Sequence, residues 1–111
     1  MSNFHRRFHD AAARFPERIA VEWVGANGTE ATSYRTLIDQ AGRIGTWLAG
    51  RGVSTGDRVA LFAPNSAAWI AAYIGTLQIG AVVVPLDTAY GVEQVHAVVT
   101  DSGARVVFTT A

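Results

Sequence analysis

VALFAPNSAAWIAAYIGTLQIGAVVVPL, Val59 to Leu86, contains no Asp, Glu, Lys or Arg, and charge returns only at Asp87. Such a stretch either enters a membrane or fills the centre of a fold. Its internal punctuation decides between the two. Pro64-Asn65-Ser66 interrupts it early and Gly80 interrupts it again. Val59 to Ala63 then has strand length. Ala67 to Ile79 suits a helix capped by Asn65 or Ser66, and Ala81 to Val84 is a β-branched strand stopped by Pro85. A membrane span needs about 20 continuous apolar residues, and no piece reaches that. Thr76 and Gln78 also lie inside the helix, without flanking basic anchors. A charge-free strand, helix and strand is the pattern of a buried parallel βαβ unit, whose strands are covered on both faces.

The rhythm continues outward. Val92, Val95 and Val99 mark a helix ending near Asp101-Ser102-Gly103, and Val106-Val107-Phe108 reads as the next strand. Upstream, Ser33 is a good N-cap for a helix whose apolar stripe is Tyr34, Leu37, Ile38, Ala41, Ile44 and Leu48. Arg51 suits the negative end of that helix, and Gly52 can take the left-handed position beyond it. Ile19–Val24 and Thr29–Ser33 flank Asn27-Gly28 and read as a hairpin. Phe4, Phe8, Ala11, Ala12 and Phe15 predict a first helix ending before Pro16. The expected fold is α/β: an N-terminal helix and β-hairpin, followed by a mostly parallel βαβαβ with right-handed crossovers.

Composition narrows the chemistry. The 111 residues are 50% hydrophobic and carry a net charge of zero, which gives no electrostatic case for nucleic acid or anionic lipid. There is no Cys, and every one of the 9 Lys+Arg residues is Arg. Disulfides, thiolate chemistry, a Schiff-base lysine and a phosphate-loop lysine are therefore all excluded within this chain. The N-terminus has an early basic pair but no continuous apolar core region, so the expected compartment is cytoplasmic.

Few residues could carry chemistry. His5 and His9 stand at helical metal-ligand spacing beside Asp10, but lack a third ligand. Glu93 and His96 share a helix face as a solvated pair. Gly75 and Gly80 match the two glycines of a phosphate loop, yet Ala81 and Val82 follow where Lys and Ser or Thr are required. No dinucleotide-binding glycine pattern or nucleophile elbow is present. Asp57 and Asp87 lie beside strands without a partner of known geometry, so neither receives an acid–base role. Asn27-Gly28-Thr29 is a glycosylation sequon that reads as a turn.

Taken in order, several segments resemble one family. Phe15-Pro16-Glu17-Arg18-Ile19-Ala20 fits the opening F-P-D/E-x-x-A of the AMP-forming acyl and aryl ligases. Ser33-Tyr34-Arg35-Thr36-Leu37 resembles their T-Y-x-E-L. Gly56-Asp57-Arg58-Val59 is similar to their G-D-R-V, and Pro64-Asn65-Ser66 to their P-N-S. Leu77 to Asp87 resembles L-K-A-G-A-x-x-V-P-L-D, and Asp101 to Arg105 resembles D-S-G-A-R/K. Thr36 stands where the family favours Glu, which weakens the reciprocal capping bond. Gln78 and Ile79 replace Lys and Ala.

The resemblance implies a partial N-terminal subdomain of the adenylate-forming ligase fold. Residues 1–111 are expected to be the opening part of an AMP-binding ligase N-terminal domain, truncated relative to a whole enzyme. Such ligases activate a carboxylic acid with ATP and magnesium and pass the acyl group to a thiol, usually coenzyme A. Their phosphate loop, adenine and magnesium motifs and catalytic lysine come later in the chain. The implied catalytic, cofactor-binding and metal residues of this segment are therefore none, and ATP, Mg and coenzyme A belong to the parent enzyme. The substrate class most resembled is a medium- to long-chain fatty acid. An amino-acid-activating module and a non-catalytic α/β interaction module are the alternatives. The expected partners are the remainder of the ligase and, through an open sheet edge, a second copy.

Overall fold

The computed structural model describes residues 3–109, with side chains from Arg6 onward. The side chains of Phe4 and His5, and Thr110 as a whole, lie outside the described residues. The element order is α1 (Asn3–Arg14), β1 (Ile19–Gly25), β2 (Gly28–Ser33), α2 (Tyr34–Gly50), β3 (Arg58–Phe62), α3 (Ala67–Gln78), β4 (Val82–Pro85), α4 (Val92–Ser102) and β5 (Val106–Thr109). β1 and β2 form an antiparallel hairpin turning at Ala26-Asn27, with Gly25 opposite Gly28. β3, β4 and β5 form a parallel sheet in the order β4-β3-β5. The α/β architecture and parallel βαβαβ expected from the sequence are both present.

Local chemistry explains where the helices start and stop. Ser33 Oγ accepts from the Thr36 N–H at 3.2 Å and donates to Thr36 Oγ1 at 3.1 Å, so the threonine answers the cap side chain to side chain. Ser66 caps α3 by accepting from the Trp69 N–H at 3.1 Å. The Gly91 N–H, ahead of α4, donates to Gln94 Oε1 at 2.9 Å. Beyond the helix ends, Gly52, Gly80 and Gly103 take positive φ of 84°, 76° and 68°, a region that only glycine enters at little cost.

Two apolar clusters hold the layers. Leu37, Ala41, Ala71 and Ile74 join α2 to α3, with Phe8 and Val21 packed alongside. Leu48, Val53, Val59 and Ala81 join the end of α2 to the sheet, with Val106 and Phe108 against them. The α2–α3 seam is unusually close: a Cβ on Gly75 would sit 2.6 Å from the Ala41 carbonyl oxygen.

That closeness decides which side chains of α3 are fully enclosed. Of the large residues of α3, Ile74 is fully buried, whereas Trp69, Ile70, Tyr73 and Leu77 are half-buried. The fully buried face is completed by Ala71, Ala72, Gly75 and Thr76, because small residues let the two backbones approach while the larger ones fan out sideways. Thr76 is accommodated by donating its hydroxyl to the Ala72 carbonyl at 2.8 Å.

One expectation is corrected at the sheet, whose strands are not fully covered on both faces. Register places Val107 beside Ala60, on the face opposite Val59, and that face is only partly covered. Val82 and Val107 remain 47% and 38% exposed, and α4 contributes no fully buried residue. A single eleven-residue helix spans too little of the second face to seal it.

Candidate functional site: a cleft at the carboxyl ends of β3 and β4

The strand order determines where a ligand site can lie. From β3 the chain crosses to β4 on one side, then returns past β3 to reach β5. With right-handed crossovers, those opposite directions place α3 and α4 on opposite faces of the sheet. The loops leaving β3 and β4 therefore diverge, and a crevice opens between them at the carboxyl ends of the strands. In open α/β sheets this switch point is where ligands bind.

A cleft of about 510 Å³ occupies that position. Ala63, Pro64 and Asn65 supply one side from the β3 exit, and Pro85, Leu86, Asp87 and Thr88 supply the other from the β4 exit. Trp69 from α3 and Trp23 from the hairpin add aromatic walls. Trp69 stacks on Tyr73 with ring centroids 5.4 Å apart. Asp87 Oδ1 accepts from the Ala89 N–H at 2.9 Å, which orients the carboxylate at the start of the β4–α4 loop. A neighbouring cavity of about 290 Å³ lies on the hairpin side, and Trp23 lines both.

The opposite end of the sheet holds a polar cluster. Asp57 Oδ2 accepts from the Ser54 N–H at 2.8 Å and from its hydroxyl at 3.2 Å. Arg105 Nη1 lies 3.4 Å from the same oxygen and donates to the Gly52 carbonyl at 3.3 Å. The Ser54 N–H, assisted by its hydroxyl and by Arg105, holds the Asp57 carboxyl below its ordinary value. Arg58 Nε donates to the Ser102 carbonyl, and the Arg105 N–H donates to the Arg58 carbonyl at 2.9 Å. The G-D-R-V and D-S-G-A-R segments thus meet and brace each other. Their polar groups are spent on helix ends and strand entries.

The other sequence candidates are placed apart. His9 lies 2.9 Å from Gln78 Nε2, tying α1 to α3 through the residue that replaces the family's Lys. Among the described residues no group of three or more His, Cys, Asp or Glu could hold a metal ion. Gly75 is packed into the α2–α3 seam and Gly80 turns the chain into β4, so neither glycine forms a phosphate cradle. Glu93 and His96 are exposed on α4. Among the candidates whose side chains are described, Asp87 alone lines the cleft. Trp23 and Trp69 were missed as its walls; only the divergence at Pro64 and Pro85 could have pointed to them.

Residues 8–111 match the family described as AMP-binding enzyme. The chain is 36% identical over 92 residues to the hybrid PKS-NRPS synthetase mycA of Thermothelomyces thermophilus, covering 83% of this chain and 2% of that protein. It superposes on the N-terminal domain of FACL13 from Mycobacterium tuberculosis with a TM-score of 0.86 and 30% identity, over 98% of this chain and 27% of that one. A Mycobacterium tuberculosis fatty acyl CoA synthetase gives a TM-score of 0.84 and 30% identity, over 96% of this chain and 21% of that one. The chain therefore spans about a quarter or less of each protein it resembles.

Proposed function

The chain belongs to the AMP-binding enzyme family, and on that premise we propose that it forms the opening segment of the N-terminal domain of an adenylate-forming ligase. The observation that carries this is the superposition on the FACL13 N-terminal domain along nearly the whole chain. In the parent protein a carboxylic acid is activated with ATP to an acyl-adenylate, with release of pyrophosphate, and the acyl group passes to coenzyme A. The residues here do not fit a triphosphate and magnesium. There is no lysine, and Gly75 and Gly80 are committed to packing and turning. Adenylyl transfer needs positioned cations against the phosphates, so those must come from the remainder of the parent. The segment contributes scaffold: two faces of a sheet, a tight helix pair, and a cleft at the switch point.

A fatty acid is the favoured substrate, supported by the likeness to a fatty acyl CoA synthetase. Amino-acid activation is the second reading, favoured by the identity with a hybrid PKS-NRPS synthetase. ATP–pyrophosphate exchange by the protein encoded by the whole reading frame separates them. Exchange dependent on medium- to long-chain fatty acids, followed by thioester formation with coenzyme A, is the expected result. Exchange with amino acids alone would replace it by the second reading, and no exchange with any acid would defeat both. The 111-residue chain by itself is expected to give none.

Two further expectations accompany this proposal. Among the described residues no helix is long and apolar enough to cross a membrane, and a cytoplasmic location is proposed. Among the described residues β4 and β5 each pair in the sheet with β3, and Val82 and Val107 expose an apolar face, so the isolated chain should self-associate. Sedimentation at high concentration showing only monomer would remove that expectation.

A further inference from the structure

We propose that the cleft at the carboxyl ends of β3 and β4 receives the guanidinium of an arginine side chain presented by a polypeptide partner. The proposal is independent of the ligase reading and stands on the chemistry of the walls. Among the described residues Asp87 is the sole ionisable one lining the cleft, and no base is in the lining. One carboxylate oxygen is fixed by the Ala89 N–H, and among the described residues no ion pair engages the group. A carboxylate already held in place by one backbone bond presents its second oxygen in a defined direction.

Two indoles complete the recognition. Trp69 stacks on Tyr73, the two rings inclined by only 26°, and its backbone N–H is held by the Ser66 cap. Trp23 is 43% exposed and sits in the hairpin opposite Glu30. Beyond Trp23, the second cavity also has a single ionisable lining residue, Glu30, and again no base. Trp23 thus lines two cavities, each with one carboxylate residue in its lining. A cation placed over an indole face gains from the ring quadrupole, and a carboxylate beside it adds a charge-assisted hydrogen bond. Arginine suits this set better than lysine: its planar, weakly hydrated guanidinium stacks on aromatic faces and pairs with carboxylates through a fork. The neutral polar groups of Asn65 and Thr88 can hydrogen-bond the backbone on either side of such a residue. The cleft is open to solvent rather than enclosing. That geometry fits a side chain delivered from another surface.

The test uses the 15N-labelled chain titrated with N-acetyl-arginine methylamide at constant ionic strength, with the citrulline analogue as the uncharged isostere. The indole N–H signals of Trp23 and Trp69 should shift saturably at millimolar ligand. Trp47, which packs on Phe108 outside the cleft, serves as the internal control and should not shift. Asp87→Asn should weaken binding about tenfold, while Glu30→Gln in the adjoining cavity should have a smaller effect. The wild-type comparison of arginine with citrulline keeps the test decisive even if a variant fails to fold. Absence of saturable shifts, equal shifts with citrulline, or a folded Asp87→Asn chain that binds as before would overturn the proposal. Tighter binding of tetramethylammonium than of the arginine amide would overturn it as well, in favour of a quaternary ammonium site.

Discussion

Gly75→Ala should destabilise the chain although alanine is the better helix former. The new Cβ would lie 2.6 Å from the Ala41 carbonyl oxygen and 3.0 Å from Cβ and Cγ2 of Ile44. The oxygen is backbone, held in the ladder of α2, and cannot rotate away. Ordinary contact begins at 3.4 Å, so the helices must separate by about 0.8 Å, the difference between 3.4 and 2.6 Å. A gap of that size forfeits roughly a quarter to a half of the dispersion energy along the seam. The seam includes Leu37, Ala41, Ala71 and Ile74, all essentially inaccessible to solvent. Overpacking of this kind costs ~1–3 kcal/mol. The gain in helix propensity offsets ~1 kcal/mol of it. The lack of any rotatable neighbour at Ala41 puts the cost at the upper end, so a net loss of ~2 kcal/mol is expected. Gly42→Ala supplies the control, because nothing lies within 4 Å of its added methyl. It should stabilise by ~0.5–1 kcal/mol through propensity alone. Urea titrations followed by circular dichroism give both values by linear extrapolation. A Gly75→Ala chain as stable as wild type, beside a stabilised Gly42→Ala, would show that the helices are not in close contact.

Three other outcomes follow from single features. The Asp57 carboxyl is held below its ordinary value of 3.8, so its contribution to stability is full above that value. It is lost as pH falls through the lowered value. The gap in urea midpoint between wild type and Asp57→Asn should accordingly be constant near neutrality and close in acid; a gap that widens in acid would contradict the assignment. Gly80→Ala should cost ~1–2 kcal/mol, since φ there is 76° and the added Cβ would meet Thr55 Oγ1 at 3.0 Å; an unchanged urea midpoint would remove the strained turn. Ser66→Ala removes the α3 cap and should cost ~1 kcal/mol, read the same way, with no loss expected if the serine were merely exposed.

How much of this was written in the chain order depends on whether the cause is local. Helix boundaries were legible because their causes are nearest neighbours in sequence: Ser33 as a cap, Asn65 or Ser66 as another, Gly52 as a left-handed exit and Asp101-Ser102-Gly103 as a stop. The parallel strands were legible from the charge-free run, since a strand hidden by a crossover helix needs no polar face. The α2–α3 seam was not, because it depends on which small residues of two separate helices coincide, and α3 is apolar on nearly every side. Large apolar residues in such a helix look equally suited to burial, yet Ile74 alone of them is fully enclosed, beside the small Ala71, Ala72, Gly75 and Thr76. The cleft was legible in part. Pro64 and Pro85 mark the strand exits, but the approach of Trp23 from the hairpin is a tertiary event with no local signature.

The two ends of the sheet divide the labour, and that division explains why the most recognisable segments carry no chemistry. At the amino end, Gly52 and Ser102 present carbonyls from the C-terminal ends of α2 and α4, where the helix dipole is negative and intrahelical donors have run out. Arginine side chains answer both needs, and on Arg105 a single terminal nitrogen, Nη1, serves both acceptors. Arg105 reaches the Gly52 carbonyl and the Asp57 carboxylate together, and Arg58 reaches Ser102 from the neighbouring strand. The cross-bracing ties together the entries of β3 and β5, which pair in register from Val59 opposite Val106. What it leaves unconstrained is the far end, where the strand exits diverge and Asp87, Trp23 and Trp69 gather. The motifs set the sheet in place so that the opposite rim, whose residues belong to loops and a hairpin, is free to serve recognition.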